Sequence, residues 1–323
     1  MAHLRCFRVR TGHVDLPESP AHRTILLTGA TGYVGGTLAP VLLERGHTVR
    51  CLARNAERAR GKLPEGVEIV EGDVMSGAGL DEALAGADVA YYLVHAMGNG
   101  NGQDFAEADR KGARTFGDAV ARAGVGRTVY LGGLEGGSAT EASEHLRSRN
   151  EVAEILRAKV PGFVYARAAM VLGAGSASFE IVRHLVTRLP LMLTPKWVDT
   201  RSQPIAIGDV VNALAALAER PSAPAEVQLG GADVLTYREM MGRFAKVAGK
   251  RGPLILKVPV LTPSLSSHWV ALFTPIQAGL VRPLVDGLSA ETVVRNPPPP
   301  GINDEPLGFD DAVRAALAAP RPS

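Results

Sequence analysis

From residue 23 onward, apolar residues gather in short runs at 24–28, 48–53, 67–70, 89–94, 128–131 and 163–168. The runs are mostly β-branched or aromatic and continuous rather than alternating, the pattern of strands covered on both faces. Between them lie segments of helical period at 33–45, 78–85, 105–123 and 144–158. In the first of these, Val34, Leu38, Val41 and Leu42 share one face, and Gly46 follows where a helix end favours a left-handed residue. Strand–helix alternation kept up over roughly 150 residues predicts a doubly wound α/β fold, a parallel sheet of Rossmann type.

Beyond Pro161 the regularity weakens, and Pro190, Pro195, Pro204, Pro221 and Pro224 punctuate short elements. The apolar stretch 258–288, broken by Pro259, Pro263, Pro275 and Pro283, predicts a pair of amphipathic helices closing over the body. Pro297–Pro300 is a stiff polyproline stretch, and 308–319 reads as a last amphipathic helix with Phe309, Ala312, Val313, Ala316 and Leu317 apolar. The organisation expected is a disordered tail over 1–22, a dinucleotide-binding unit over 23–160, and a segment 161–323 that completes the sheet and adds a smaller C-terminal lobe. Trp197, Trp269, Leu272 and Phe273 make that lobe apolar.

Charge and cysteine content narrow the function. Thirty-five Lys and Arg against 33 Asp and Glu leave a net charge of +2, with no basic stripe for nucleic acid. Cys6 and Cys51 form neither a metal-ligand spacing nor a disulfide framework, so no metal and a reducing, cytoplasmic setting are expected. No apolar run reaches the ~18 residues of a membrane helix, and residues 1–22 lack the apolar centre of a signal peptide. A small-molecule substrate is the expected partner, with a homodimer as the expected assembly.

The first strand runs into Gly29-Ala30-Thr31-Gly32-Tyr33-Val34-Gly35 and then a helix. Gly29 permits the tight turn, Gly32 lets backbone N–H groups approach a pyrophosphate, and Gly35 lets the helix pack close on the sheet. The helix N-terminus adds partial positive charge. Gly29, Thr31, Gly32, Tyr33 and Val34 are therefore candidate dinucleotide contacts. A fold that prefers NAD places a carboxylate at the end of the second strand; this chain has Arg54 there, with Arg58 one turn on. A guanidinium suits a 2′-phosphate, so NADPH/NADP is the expected cofactor. Asp73, after the third strand, is placed to accept from the adenine amino group or to cap a helix.

Together, 28–35, Arg54, 72–74, 145–156 and 203–209 resemble the atypical and extended short-chain dehydrogenases/reductases, most closely their NAD(P)H-binding, NmrA-like branch. The resemblance spans 23–319. It implies that Val74 lies beside Asp73 at the adenine and that Leu93, Val94 and His95 pass under the nicotinamide ribose. The superfamily carries Tyr-x-x-x-Lys on the helix at 144–158; here the same spacing holds His145 and Arg149. The implied roles are general acid for His145, whose ordinary pKa is ~6.5, and ribose holder for Arg149, which is always charged. Leu131-Gly132-Gly133-Leu134 stands where the superfamily offers a serine or threonine. Asp209, in the segment 203–209, is read as a helix cap. The function implied is NADPH-dependent reduction of a C=O, C=C or C=N bond in a small, mostly apolar substrate. The alternative is a non-catalytic NADP(H) sensor or scaffold.

Overall fold

The computed structural model describes residues 21–95, 102–134, 144–194, 196–257 and 288–320. All but the last residue of the helix pair expected over 258–288, and nearly all of the expected N-terminal tail, lie outside these residues. A seven-stranded sheet forms the centre. Its strands are β1 (Thr24–Thr28), β2 (Thr48–Ala53), β3 (Glu68–Glu71), β4 (Val89–Tyr92), β5 (Arg127–Gly133), β6 (Phe163–Ala168) and a late strand β11 (Glu226–Leu229). Every pairing in it is parallel, in the order β11-β6-β5-β4-β1-β2-β3. The order reverses between β1 and β4, and at such a switch point the loops leaving the strands part and open a crevice at the carboxyl edge.

Helices cover both faces, as the continuous apolar runs require. Ile25 and Leu27 of β1 point to one side, packing with Leu38 and Leu42 of α1 (Tyr33–Glu44) and Val210, Val211 and Leu214 of α7 (Ile207–Glu219). Leu26 points to the other side. There it joins Leu80 and Leu84 of α3 (Leu80–Leu84), Phe116 and Val120 of α4 (Gly102–Ala123), and Val152 and Leu156 of α5 (Glu144–Lys159).

A separate apolar cluster builds the lobe. Phe179, Val182 and Leu185 of α6 (Ala177–Arg188) meet Met240, Met241 and Phe244 of α8 (Tyr237–Val247), Phe309 and Val313 of α9 (Phe309–Ala318), and Trp197 from the 3-10 turn Lys196–Asp199. Short strands stitch it together. β7 (Val171–Leu172) pairs β10 (Ile205–Ala206), β9 (Arg201–Ser202) pairs β12 (Leu235–Thr236), and β8 (Leu191–Thr194) pairs β13 (Leu254–Lys257).

Several sequence expectations need correction. The third strand starts one residue later than its apolar run, at Glu68, because it is the sheet's edge and both its ends are exposed. The helix expected from residue 78 begins at Leu80, since Gly77 and Gly79 hold φ of +81° and +73°, outside helical geometry. The five-residue helix α2 (Ala56–Arg60) is too short to show a period and was not foreseen. Asp209 is not the cap of α7: Ala206 holds that position, and the Asp209 carboxylate instead accepts from the Leu307 N–H at 2.9 Å. Neither does Asp73 cap a helix. Its Oδ1 accepts from the Met75 N–H at 2.8 Å, closing a local turn ahead of α3.

Candidate functional site

A cavity of about 630 Å³ opens at the carboxyl ends of β1, β4, β5 and β6 and runs under the lobe. Its floor begins with the glycine loop. Gly29 holds φ at +73°, and a Cβ there would lie 2.4 Å from the Leu93 carbonyl oxygen. A Cβ on Gly35 would lie 2.4 Å from the Gly29 carbonyl oxygen, so α1 reaches the sheet only because residue 35 has no side chain. Gly32 donates its N–H to the Gly29 oxygen at 2.9 Å, and a Cβ on it would meet only that same oxygen, at 3.1 Å. Beyond that contact Gly32 faces open space in the cavity wall. α1 has no side-chain cap at Gly32 and no acidic residue in its first turn, so its N-terminal N–H groups and dipole are left for an anion.

Arg54 follows β2 and brings an exposed guanidinium to the rim of the cavity; among the described residues it forms no ion pair. Leu93, Val94 and His95 leave β4 and line the middle, and the His95 ring meets Tyr130 edge-on at 5.9 Å. Arg149 projects from α5, half-buried, into the same wall. Its stretch of helix is tied to the sheet: the Tyr130 hydroxyl donates to the Arg149 carbonyl oxygen at 3.2 Å, and the Tyr165 hydroxyl donates to Asn150 Oδ1 at 3.0 Å. Burial pushes the Tyr130 hydroxyl well above the ordinary tyrosine range, with the Arg149 cation pulling the other way.

The structure thus brings together Gly29, Thr31, Gly32, Tyr33, Val34, Arg54, Leu93, Val94, His95 and Arg149. Asp73 and Val74 stand apart from the cavity wall. Val74 is 6% exposed and packs among the core residues beneath the sheet. His145 falls in the first turn of α5, and its side chain lies outside the described residues. The missing hydroxyl at the end of β5 has a steric reason. A Cβ on Gly132 would sit 2.5 Å from the Tyr165 ring, so a serine or threonine at 132 would displace that tyrosine.

The lobe side of the wall was largely hidden from the sequence. Met170, Val171, Ile181, Val182, Leu185, Met241 and Leu288 give it an apolar surface, and only Trp197 was singled out beforehand. With Trp197, these residues come from five segments scattered between 170 and 288, and no local period announces their convergence. Among the described residues, two polar atoms in this wall are buried without a hydrogen-bond partner, the Tyr33 hydroxyl and Trp197 Nε1. Burial, reinforced by the negative charge of Glu180, pushes the Tyr33 hydroxyl up to about 12. It therefore stays a neutral phenol across the physiological range.

Comparison with known proteins agrees with this geometry. Residues 29–184 match the model of a family described as NAD(P)H-binding. The ceramide reductase of Caulobacter vibrioides is 27% identical over 267 residues, which span 80% of this chain and 83% of that protein. The triphenylmethane reductase of Citrobacter sp., solved with NADP(H), superposes with a TM-score of 0.70 at 17% identity, covering 91% of this chain and 100% of that one. The Bordetella bronchiseptica enzyme WbmH, solved with NAD+, superposes with a TM-score of 0.65 at 16% identity, covering 92% and 98%. Among the described residues no group of three or more His, Cys, Asp or Glu could hold a metal ion, and no helix is long and apolar enough to cross a membrane.

Proposed function

We propose that this chain, whose residues 29–184 match the model of a family described as NAD(P)H-binding, is an oxidoreductase that uses NADPH to reduce a small, mostly apolar substrate at a C=O, C=C or C=N bond. One observation carries the reading. A single cavity joins an uncapped glycine loop and a cationic rim at Arg54 to an apolar wall under the lobe. The residues suit the cofactor. Glycines 29, 32 and 35 make room for backbone approach, the α1 N-terminus favours a pyrophosphate, Arg54 offers paired donors to a 2′-phosphate, and Arg149 offers fixed donors to ribose hydroxyls. When bound, the cofactor supplies the hydride. The protein's part is to hold the substrate against it, exclude water and provide polarity.

The relatives support an oxidoreductase acting on a lipid-like molecule, the ceramide reductase of Caulobacter vibrioides among them. Proton delivery falls to His145 in this reading, with His95 as a second candidate in the cavity wall. The enzyme is expected to act in the cytoplasm. A second reading, a non-catalytic NADP(H) sensor, is favoured by the Leu131–Leu134 stretch, which brings no hydroxyl to the wall where the superfamily places one. Incubation of the purified protein with NADPH and a panel of ketones, enones, imines and quinones separates the two. Loss of NADPH absorbance with at least one substrate is the expected outcome. Tight NADPH binding with no turnover on the whole panel would favour the sensor.

A further inference from the structure

We propose that Tyr33 and Trp197 form a polar subsite in the lobe side of the cavity, where they hold an uncharged oxygen acceptor of an otherwise apolar ligand. This rests on the reading of the cavity as a substrate pocket and goes on to the chemistry of what fills it. Both side chains front the cavity, and the polar atom of each is buried with no hydrogen-bond partner. A buried donor without a partner is costly, and native proteins rarely leave one unless a ligand or a function accounts for it. Two of them in one cavity wall are the more telling because neighbouring polar groups are already engaged. Ser176 Oγ donates to the Val171 carbonyl at 2.8 Å, Thr292 Oγ1 donates to Ser202 Oγ at 2.7 Å, and the Tyr237 hydroxyl is bonded with Ser202.

The chemistry of the pair selects the ligand. An indole N–H is a donor only, so the group that answers Trp197 must be an acceptor. The Tyr33 phenol stays protonated far above neutral pH, and it too has a proton to give. The negative charge of Glu180 acts on the same hydroxyl and disfavours a second anion beside it. A ketone, ester or alcohol oxygen meets these conditions without the cost of burying a charge that a carboxylate would bring. The rest of the ligand meets Ile181, Val182, Leu185 and Met241, which offer only apolar contact.

Local packing explains how the phenol is kept there. A Cβ on Gly173 would lie 2.0 Å from the Tyr33 hydroxyl, so the loop between β7 and α6 carries no side chain at the one place that hydroxyl occupies. Trp197 is 5% exposed and stands edge-on to Tyr237 at 5.8 Å. Each ring fronts the opening with its polar atom turned into the wall. A bound ligand would draw each side chain toward the cavity, where its polar atom gains the partner it lacks.

Three probes of one shape test this: 2-acetylnaphthalene, 2-ethylnaphthalene and 2-naphthoate, bound to the purified protein by equilibrium dialysis with and without saturating NADP+. The wild type is expected to bind the ketone about tenfold or more tighter than the hydrocarbon, and also tighter than the carboxylate. Tyr33→Phe and Trp197→Phe should each cut the ketone-over-hydrocarbon ratio several-fold while hydrocarbon binding persists, which also reports an intact pocket. Equal binding of ketone and hydrocarbon in the wild type, or binding of neither, overturns the proposal. So does an unchanged ratio in Tyr33→Phe accompanied by weaker NADP+ binding, which would give the hydroxyl to the cofactor. Turnover is scored separately. A pocket that prefers the ketone yet reduces nothing would retire the reductase reading and leave this subsite standing.

Discussion

At the scale of a single residue, the proposed preference for NADPH rests on Arg54. It replaces the carboxylate that an NAD-preferring fold would place after β2, and it reaches the cavity rim with its guanidinium exposed. A charge-assisted contact to phosphate is worth roughly 1.5–3 kcal/mol, about tenfold or more in affinity. Arg54→Ala should therefore weaken NADPH binding by about that factor and leave NADH nearly unchanged, as read by cofactor fluorescence titration. Equal losses for both cofactors would remove Arg54 from the phosphate site. Gly132 shows the opposite kind of residue effect. Its lack of a Cβ makes room for the Tyr165 ring, which a side chain at 132 would displace.

Among the elements, α9 depends on a partner distant in sequence. Its own cap, Gly308, has no side chain to offer, and Asp233 does the work instead: Oδ2 accepts from the Phe309 N–H at 2.7 Å. Arg243 of α8 pairs with Asp233 at 3.2 Å and with Asp310 at 2.8 Å, and it lies 5.6 Å from the Phe309 ring centroid. The Phe309 N–H, and after it Arg243, hold the Asp233 carboxyl below the usual carboxylate range. Its contribution is thus present above the ordinary carboxylate pKa and lost as pH falls through the lowered one. Asp233→Ala should cost about 1 kcal/mol, the usual loss for a helix cap, seen as a lower urea midpoint at pH 7 with the difference shrinking in acid. A midpoint unchanged at neutral pH would contradict this.

The same long-range ties mark where the sequence stopped being legible. Most of the βαβ frame from Thr24 to Ala168 could be read because its strands are continuous apolar runs and its longer helices carry a local period, and the glycine loop because its spacing encodes sterics within seven residues. Asp209 was misread because its partner is Leu307, 98 residues away. The lobe's strands run two to four residues, too short to show a period. Its cavity wall is assembled from separate segments whose meeting no local pattern encodes.

For the whole molecule, burial of titratable groups sets the alkaline limit. Burial pushes the Cys51 thiol up to about 11 and raises five of the six tyrosines, Tyr33, Tyr91, Tyr92, Tyr130 and Tyr237. In each case the folded state holds its proton to higher pH than the unfolded state. The stabilisation is complete below the unfolded values, 9.0 for the thiol and 10.0 for the phenols, and falls as pH rises toward the folded ones. Urea midpoints should be level around neutrality and drop steeply from about pH 9 upward, with tyrosinate absorbance appearing together with unfolding. A level midpoint through that window, or tyrosinate forming in the folded protein, would contradict the burial described.

The same architecture, a cofactor loop at the sheet's switch point facing an apolar lobe, makes hydride transfer its central claim. The direct measurement uses NADPH carrying deuterium at C4 on either face, incubated with the protein and an apolar ketone, followed by mass spectrometry of the product. The expected product is an alcohol bearing one deuterium from one of the two labelled faces. NADPH that binds while neither face yields a deuterated product would contradict it.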